Sequence, residues 1–315
     1  MYRNHTVAVV LPAYNEAGHV GPTMASLPSF VDRVYVVDDA STDDTWTEIR
    51  RHAAALNGDV DGDHDRVVTV RHESNRGAGG ALKTGYRRAL ADRLDIVVTM
   101  DADGQMDPGE LDRLLDPLVE DRADYAKGDR LSRPDDRAGM PRYRLLGNAV
   151  LTLLTRVASG YWRTSDPQNG YTAVTREALA AVDVEALYDY YGYCNEMLVR
   201  LNAAGMRVAD VPMPARYGDE DSHISLSAYV PKVSVILLSS FLWRCRTKYL
   251  EDGLHPVAAY YLAAMGAGAL GLVSVLLAEV SETLGSALVL LAAGALMTAV
   301  GLDYQESRPL EVTTE

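Results

Sequence analysis

The chain has 315 residues, enough for one large domain or two smaller ones with an ample core. Its net charge of −14 and pI near 4.9 argue against nucleic-acid binding as the main business. Lysine occurs only at Lys83, Lys127, Lys232 and Lys248 while Asp and Arg are plentiful, a bias that resembles a salt-adapted, haloarchaeal proteome, although an ordinary acidic protein has a similar balance. Cys194 and Cys245 are two lone thiols, which excludes a disulfide framework and zinc-ligand spacing.

Met1 to His5 is polar and leads into a strand at Thr6 to Leu11, so no signal peptide is expected. The strand ends in Pro12-Ala-Tyr14-Asn15-Glu16, and Ala17 to Leu27 reads as a short helix interrupted near Pro22. Arg33 to Val37 is a second strand, stopping at Asp38-Asp39-Ala-Ser41-Thr42-Asp43-Asp44. Ser41 and Asp44 have the spacing of a capping box for a helix over Thr45 to Leu56. The acidic stretch from Asn57 to Asp65 resembles a calcium loop, but His64 stands at the sixth position and Val70 at the twelfth, so a solvated surface loop is expected.

Arg66 to Arg71 gives a third strand, followed by Asn75-Arg76-Gly77-Ala-Gly79-Gly80 and a helix over Ala81 to Ala91. Such a glycine-rich turn either holds an anion on free N–H groups or lets a helix pack closely on a sheet, and alone it does not decide between them. Ile96 to Met100 is a short β-branched run that reads as a buried parallel strand. At its carboxyl end, where open α/β sheets bind ligands, stand Asp101, Asp103 and Gln105. If the pleat continues, the two carboxylates point the same way and reach one hard cation, Mg²⁺ or Mn²⁺, bridging a diphosphate. Asp-Ala-Asp-Gly is also a common polar turn.

A helix over Pro108 to Val119, a strand near Asp124 to Lys127 and Gly128-Asp129-Arg130 continue the alternation, which predicts a mostly parallel sheet with crossover helices. Polar residues at the ends of successive strands (Glu16, Asp39, Asp101, Asp103 and Arg130) describe a nucleotide cleft. Further on come a helix over Arg142 to Ser159, Asp166-Pro-Gln168-Asn169-Gly170-Tyr171, a strand at Thr172 to Thr175, a Tyr-rich segment to Tyr193, a helix over Cys194 to Ala204 and a strand at Arg207 to Met213.

Composition shifts after Leu226. Tyr229 to Tyr249 sets Lys232, Arg244, Arg246 and Lys248 against an apolar face, as in a helix lying in a membrane interface. Pro256 to Ala278 and Leu284 to Leu302 carry no charge and span about 34 and about 28 Å as helices, close to a hydrocarbon core of about 30 Å. They predict a lipid-bilayer hairpin rather than two buried helices of a soluble protein. The basic flank keeps the preceding domain in the cytosol, turns Glu279 to Glu282 outwards and returns the tail from Asp303 to the cytosol.

Pro12-Ala-Tyr-Asn-Glu16, Val37-Asp-Asp-Ala-Ser-Thr-Asp43, Asn75-Arg-Gly77, Asp101-Ala-Asp-Gly-Gln105 and Gly128-Asp-Arg130 together resemble the GT-A glycosyltransferases, specifically the dolichyl-phosphate mannose and glucose synthases of archaeal type. The resemblance implies a cytosolic GT-A α/β domain over residues 1–228, an interfacial helix over 229–250, a two-helix hairpin over 256–302 and a polar tail over 303–315. It implies transfer of mannose or glucose from GDP-mannose or UDP-glucose to dolichyl or polyprenyl phosphate for protein glycan assembly, with inversion and with Mg²⁺ or Mn²⁺.

The resemblance further implies that Pro12, Tyr14, Glu16, Val37 and Asp39 hold the base and ribose. Asp101 and Ala102 lie beside the diphosphate, and Asp103 and Gln105, with Asp101, hold the metal. Arg130 and Arg216 then face the phosphates. Gln168, Gly170, Ser222 and His223 fall on the acceptor-side loops; where the family usually has a basic residue this chain has His223, only partly charged at neutral pH. No Ser-His-Asp or Cys-His set occurs, and a phosphate acceptor needs no general base. A glycosyltransferase using another membrane glycolipid, or a catalytically silent membrane scaffold, are the alternatives. The absence of Gln-x-x-Arg-Trp, with two spans too few to make a channel by themselves, argues against a processive polysaccharide synthase.

Overall fold

The computed structural model describes residues 1–58, 65–131, 142–190, 192–214, 226–251, 253–276 and 282–314. The acidic loop around Asp61 and the residues Arg216, Ser222 and His223 therefore lie outside the described residues. Eight strands form one sheet: β1 (Val7–Ala13), β2 (Arg33–Asp38), β3 (Val67–Arg71), β4 (Ile96–Thr99), β5 (Tyr125–Asp129), β6 (Thr172–Thr175), β7 (Val208–Pro212) and β8 (Glu311–Thr313), in the order β3-β2-β1-β4-β6-β5-β7-β8. All pairs are parallel except those of β6, which runs antiparallel between β4 and β5, so that Ala173 opposes both Val98 and Ala126. β1 is buried at every residue, which explains its unbroken apolar run: helices cover both faces of a central parallel strand.

The two-residue alternation sorts the core. Val7, Val9, Leu11, Val34, Val36 and Val98 face α1 (Val20–Ser26), α2 (Thr45–Gly58) and α4 (Leu111–Val119). Ala8, Val10, Tyr35 and Val97 face α3 (Gly77–Ala91), α6 (Arg176–Ala181) and α7 (Tyr193–Ala203). Pro22 does not interrupt α1; it sits in the first turn, where its lost N–H has no intrahelical partner to give up. The start of α2 corrects the expected capping box. Asp43, not Ser41, accepts the Thr45 N–H at 3.0 Å, and the Ser41 hydroxyl instead accepts the Asn15 N–H. The glycine-rich segment is likewise not a turn before α3 but its first turns.

α5 (Arg142–Ser159) and α7 carry α8 (Leu226–Tyr249) through Leu151, Ala158, Val199, Val233 and Leu237. α8 inverts the usual surface pattern. Val235, Leu238, Leu242 and Trp243 are exposed, whereas Arg244 is fully buried rather than on a basic outer face. Arg244 makes a bidentate pair with Asp303 (2.7 and 2.9 Å) and donates its Nε to the Ala158 carbonyl. Asp303 lies near the end of α10 (Glu282–Ser307), the partner of α9 (Pro256–Leu276). Both are long and apolar enough to cross a membrane, and only 28 % and 11 % of their most apolar windows are buried, unlike core helices of a soluble protein. The polar tail has more order than its composition suggests: residues 311–313 return as β8 and pair with β7.

Candidate active site

The polar ends of the strands meet as expected. The loops after β1 and β2 are one construction: Asn15 donates its N–H to Ser41 Oγ, Thr42 donates its N–H to Asn15 Oδ1, and Glu16 donates its N–H to Thr45 Oγ1 at 2.7 Å. Asn15 and Ala40 take up left-handed backbone to make these contacts. This exposes Tyr14 on the rim of a cavity of about 370 Å³, which Pro12, Glu16, Asp39, Asp101, Ala102 and Asp103 also line. That volume is in the range of small-molecule sites. Val37, expected among the binding residues, lines neither this cavity nor the next; it is fully buried between β1 and β3.

Asp39 lines the cavity, but its carboxylate is engaged by the protein. It accepts the Arg76 N–H on both oxygens (2.9 and 3.0 Å) and the Gly77 N–H at 2.7 Å, and His72 Nδ1 lies 2.6 Å from Oδ1. Asp39 thus anchors the start of α3, a role its position in the motif does not reveal. The glycines of α3 serve close packing. A Cβ on Gly79 would lie 2.1 Å from the Tyr188 carbonyl oxygen, one on Gly77 2.5 Å from the Tyr190 ring, and the Gly80 N–H donates to the Asp189 carbonyl. The segment 188–190 is seated on these glycines. Its Tyr190, which sequence reasoning did not single out, forms part of the cavity wall and lies under Lys232 of α8, 5.5 Å from the ring centroid.

Asp101 and Asp103 form the far wall. Gly104, with φ of 75°, turns the chain back, and the Gln105 N–H donates to Asp103 Oδ1 at 2.9 Å. The motif is therefore a polar turn and a carboxylate pair at once. Burial, and then the neighbouring charge of Asp103, push the Asp101 carboxyl up to about 7. A second carboxylate in a buried site is a position that a divalent cation would relieve, and the donor set of hard oxygens suits Mg²⁺ or Mn²⁺. Among the described residues no three His, Cys, Asp or Glu side chains converge into a cage. A cation here would complete its shell with Gln105, water and substrate phosphate, the mode usual for Mg²⁺.

On the other side of the pair is a smaller cavity of about 130 Å³, lined by Asp101, Asp103, Gln105, Arg130, Gln168 and Gly170 among others. Arg130 follows β5 and is clamped by Asp166 (2.7 and 3.2 Å), a fully buried carboxylate whose task sequence reading did not foresee. Seven of the expected binding residues line the first cavity, and Gln105, Arg130, Gln168 and Gly170 line the second.

A mostly parallel sheet carrying an Asp-x-Asp turn beside a nucleoside-sized cavity defines the GT-A class of nucleotide-sugar transferases. Residues 8–182 match the model of "Glycosyl transferase family 2", and the chain belongs to that family. It is 30 % identical over 216 residues to the UDP-N-acetylglucosamine–dolichyl-phosphate N-acetylglucosaminyltransferase of Methanococcus voltae, covering 67 % of this chain and 86 % of that one. It is 32 % identical over 213 residues to the undecaprenyl-phosphate mannosyltransferase of Micrococcus luteus, covering 66 % and 82 %. The glucosyl-3-phosphoglycerate synthase of Mycobacterium tuberculosis, solved with Mn²⁺, UDP-glucose and phosphoglyceric acid, shares the fold with a TM-score of 0.53 at 24 % identity, over 77 % of this chain and 80 % of that one.

Proposed function

We propose that the protein transfers a sugar from a nucleoside diphosphate to dolichyl or another polyprenyl phosphate at the cytosolic membrane face, with Mg²⁺ or Mn²⁺ at Asp101, Asp103 and Gln105. The observation that carries this reading is the carboxylate pair standing as a shared wall between a nucleoside-sized cavity and a smaller one, in a chain that also carries two bilayer-length helices. Relatives named for dolichyl- and undecaprenyl-phosphate acceptors support the same acceptor class. The relative named for UDP-N-acetylglucosamine adds that donor to GDP-mannose and UDP-glucose as sugars to be tried. The exposed apolar face of α8, with Leu238, Leu242 and Trp243, suits the membrane interface.

A lipid phosphate is already an anion and a nucleophile, so the protein need only align it with the anomeric carbon for a single inverting displacement. Tyr14 offers its ring to the base, Asp101 and Asp103 face the diphosphate, and Arg130, held in one orientation by Asp166, directs its remaining guanidinium surface to the reacting phosphates. The bound cation would offset the charge that accumulates on the departing nucleoside diphosphate. Calorimetric titration of UDP and GDP into the full-length protein, with Mn²⁺ and after chelation, tests the reading. Metal-dependent binding that Asp103→Ala abolishes is expected; metal-independent binding would refute the metal assignment, and a catalytically silent scaffold would bind neither nucleotide.

A further inference from the structure

The smaller cavity is lined by a side chain whose amide finds no hydrogen-bond partner among the described residues. Gln168 sits in the loop before β6, and both its Nε2 and its Oε1 are buried without a hydrogen-bond partner among the described residues. Buried amides are nearly always paired, because each stranded polar atom carries a desolvation penalty. Here both ends are stranded, so the conclusion is the same whichever way the amide is turned. The neighbouring Asn169 leaves its Nδ2 unpaired as well.

We propose that Gln168 reads hydroxyl groups of the transferred sugar, and so determines sugar specificity rather than binding the acceptor phosphate. This rests on the proposed transfer from a nucleotide sugar. A carboxamide presents donors at one end and an acceptor at the other. A sugar hydroxyl both donates and accepts and satisfies the whole group; a phosphate oxygen only accepts, and would leave Oε1 stranded. The charge of the cavity points the same way. Among the described lining residues, Asp107 and Glu110 add two carboxylates beyond the metal-holding pair, and the one cation, Arg130, is already paired with Asp166.

Connectivity of the donor agrees. A nucleoside in the larger cavity, with its diphosphate at Asp101 and Asp103, must carry its sugar beyond that pair, into the space beside Gln168. Gly170 keeps that space open. A Cβ there would lie 3.1 Å from the Tyr193 hydroxyl and 3.5 Å from Asp101 Oδ2, narrowing the passage between the loop and the carboxylate.

The test compares wild type, Gln168→Leu and Gln168→Glu as full-length protein in nanodiscs with Mn²⁺. UDP and GDP are titrated beside UDP-glucose, UDP-N-acetylglucosamine and GDP-mannose, and transfer to dolichyl phosphate is measured in parallel. Losing two neutral hydrogen bonds weakens nucleotide-sugar binding by about tenfold, while the bare nucleoside diphosphates and the acceptor KM stay within twofold. Preference among the sugars narrows in both variants. Gln168→Leu removes two unpaired atoms, so its Tm is no lower than wild type, which separates lost recognition from lost folding. Unchanged sugar discrimination with a raised acceptor KM would overturn this proposal alone. A wild type that binds none of the nucleotide sugars would overturn it together with the proposed function.

Discussion

Replacing Asp303 by alanine removes the partner of a guanidinium that has no access to water. Arg244 and Asp303 are both fully buried, and the carboxylate also accepts hydrogen bonds from the Tyr249 and Tyr261 hydroxyls (2.6 and 3.3 Å). Breaking a buried pair from one side costs about 3–5 kcal/mol, because the remaining charge is stranded. The orphaned Tyr249 hydroxyl adds about 1–3 kcal/mol. At about 2 °C per kcal/mol for a chain of this size, Tm in nanodiscs should fall by roughly 8–16 °C. The pair also ties α8, α10 and, through Asn202 and Ser307, α7 into one unit. Proteolysis should therefore sever the hairpin from the catalytic domain more readily in the variant. The double replacement Arg244→Met with Asp303→Leu, which removes both charges, should recover most of the loss. A single Asp303→Ala variant within 1 kcal/mol of wild type would show that the pair does not hold the hairpin to the domain.

Three further outcomes follow from the site and its supports. Asp166→Ala should lower transfer by about 100-fold through the freed Arg130, with Asp166→Glu less damaging and nucleoside diphosphate affinity little changed. Gly79→Ala drives a methyl group into the Tyr188 carbonyl and should destabilise by about 1–3 kcal/mol, measured by thermal unfolding, while nucleotide affinity drops as the segment carrying Tyr190 shifts. Burial, and then the Arg244 charge, lower the Lys248 ammonium from 10.5 to about 8. Between these values the unfolded chain binds more protons, so this group makes stability rise as pH climbs from about 8 to 10.5 and applies its full penalty below 8. Lys248→Met should flatten that rise when Tm is compared across the window.

The strands and the carboxylate pair were readable because they depend on local rules: β-branched runs between polar breaks, and hard oxygens at a strand end. The orientation of β6 was not readable, since nothing in Thr172 to Thr175 records which neighbours it meets. The amphipathic pattern of Tyr229 to Tyr249 puts Arg244 on a basic outer face, and only its distant partner Asp303 overrides that pattern. The resemblance names Val37 for the nucleotide; the alternation of the strand buries its side chain in the sheet. The motifs single out Asp39 and the glycines of α3 but not their tasks: Asp39 anchors the start of α3, and the glycines seat residues 188–190, more than a hundred positions away. The strand at 311–313 exists by pairing with β7, not by its own propensity.

The central claim is that Asp103 supports metal-dependent transfer to a lipid phosphate. Membranes containing the protein, in high salt with Mn²⁺ or Mg²⁺, are offered labelled GDP-mannose, UDP-glucose or UDP-N-acetylglucosamine with dolichyl phosphate, and lipid-extractable label is counted. The account predicts label from one donor that vanishes on chelation and in Asp103→Ala. Full transfer by Asp103→Ala with metal present, or metal-dependent nucleotide binding with no label from any of these donors, would contradict it.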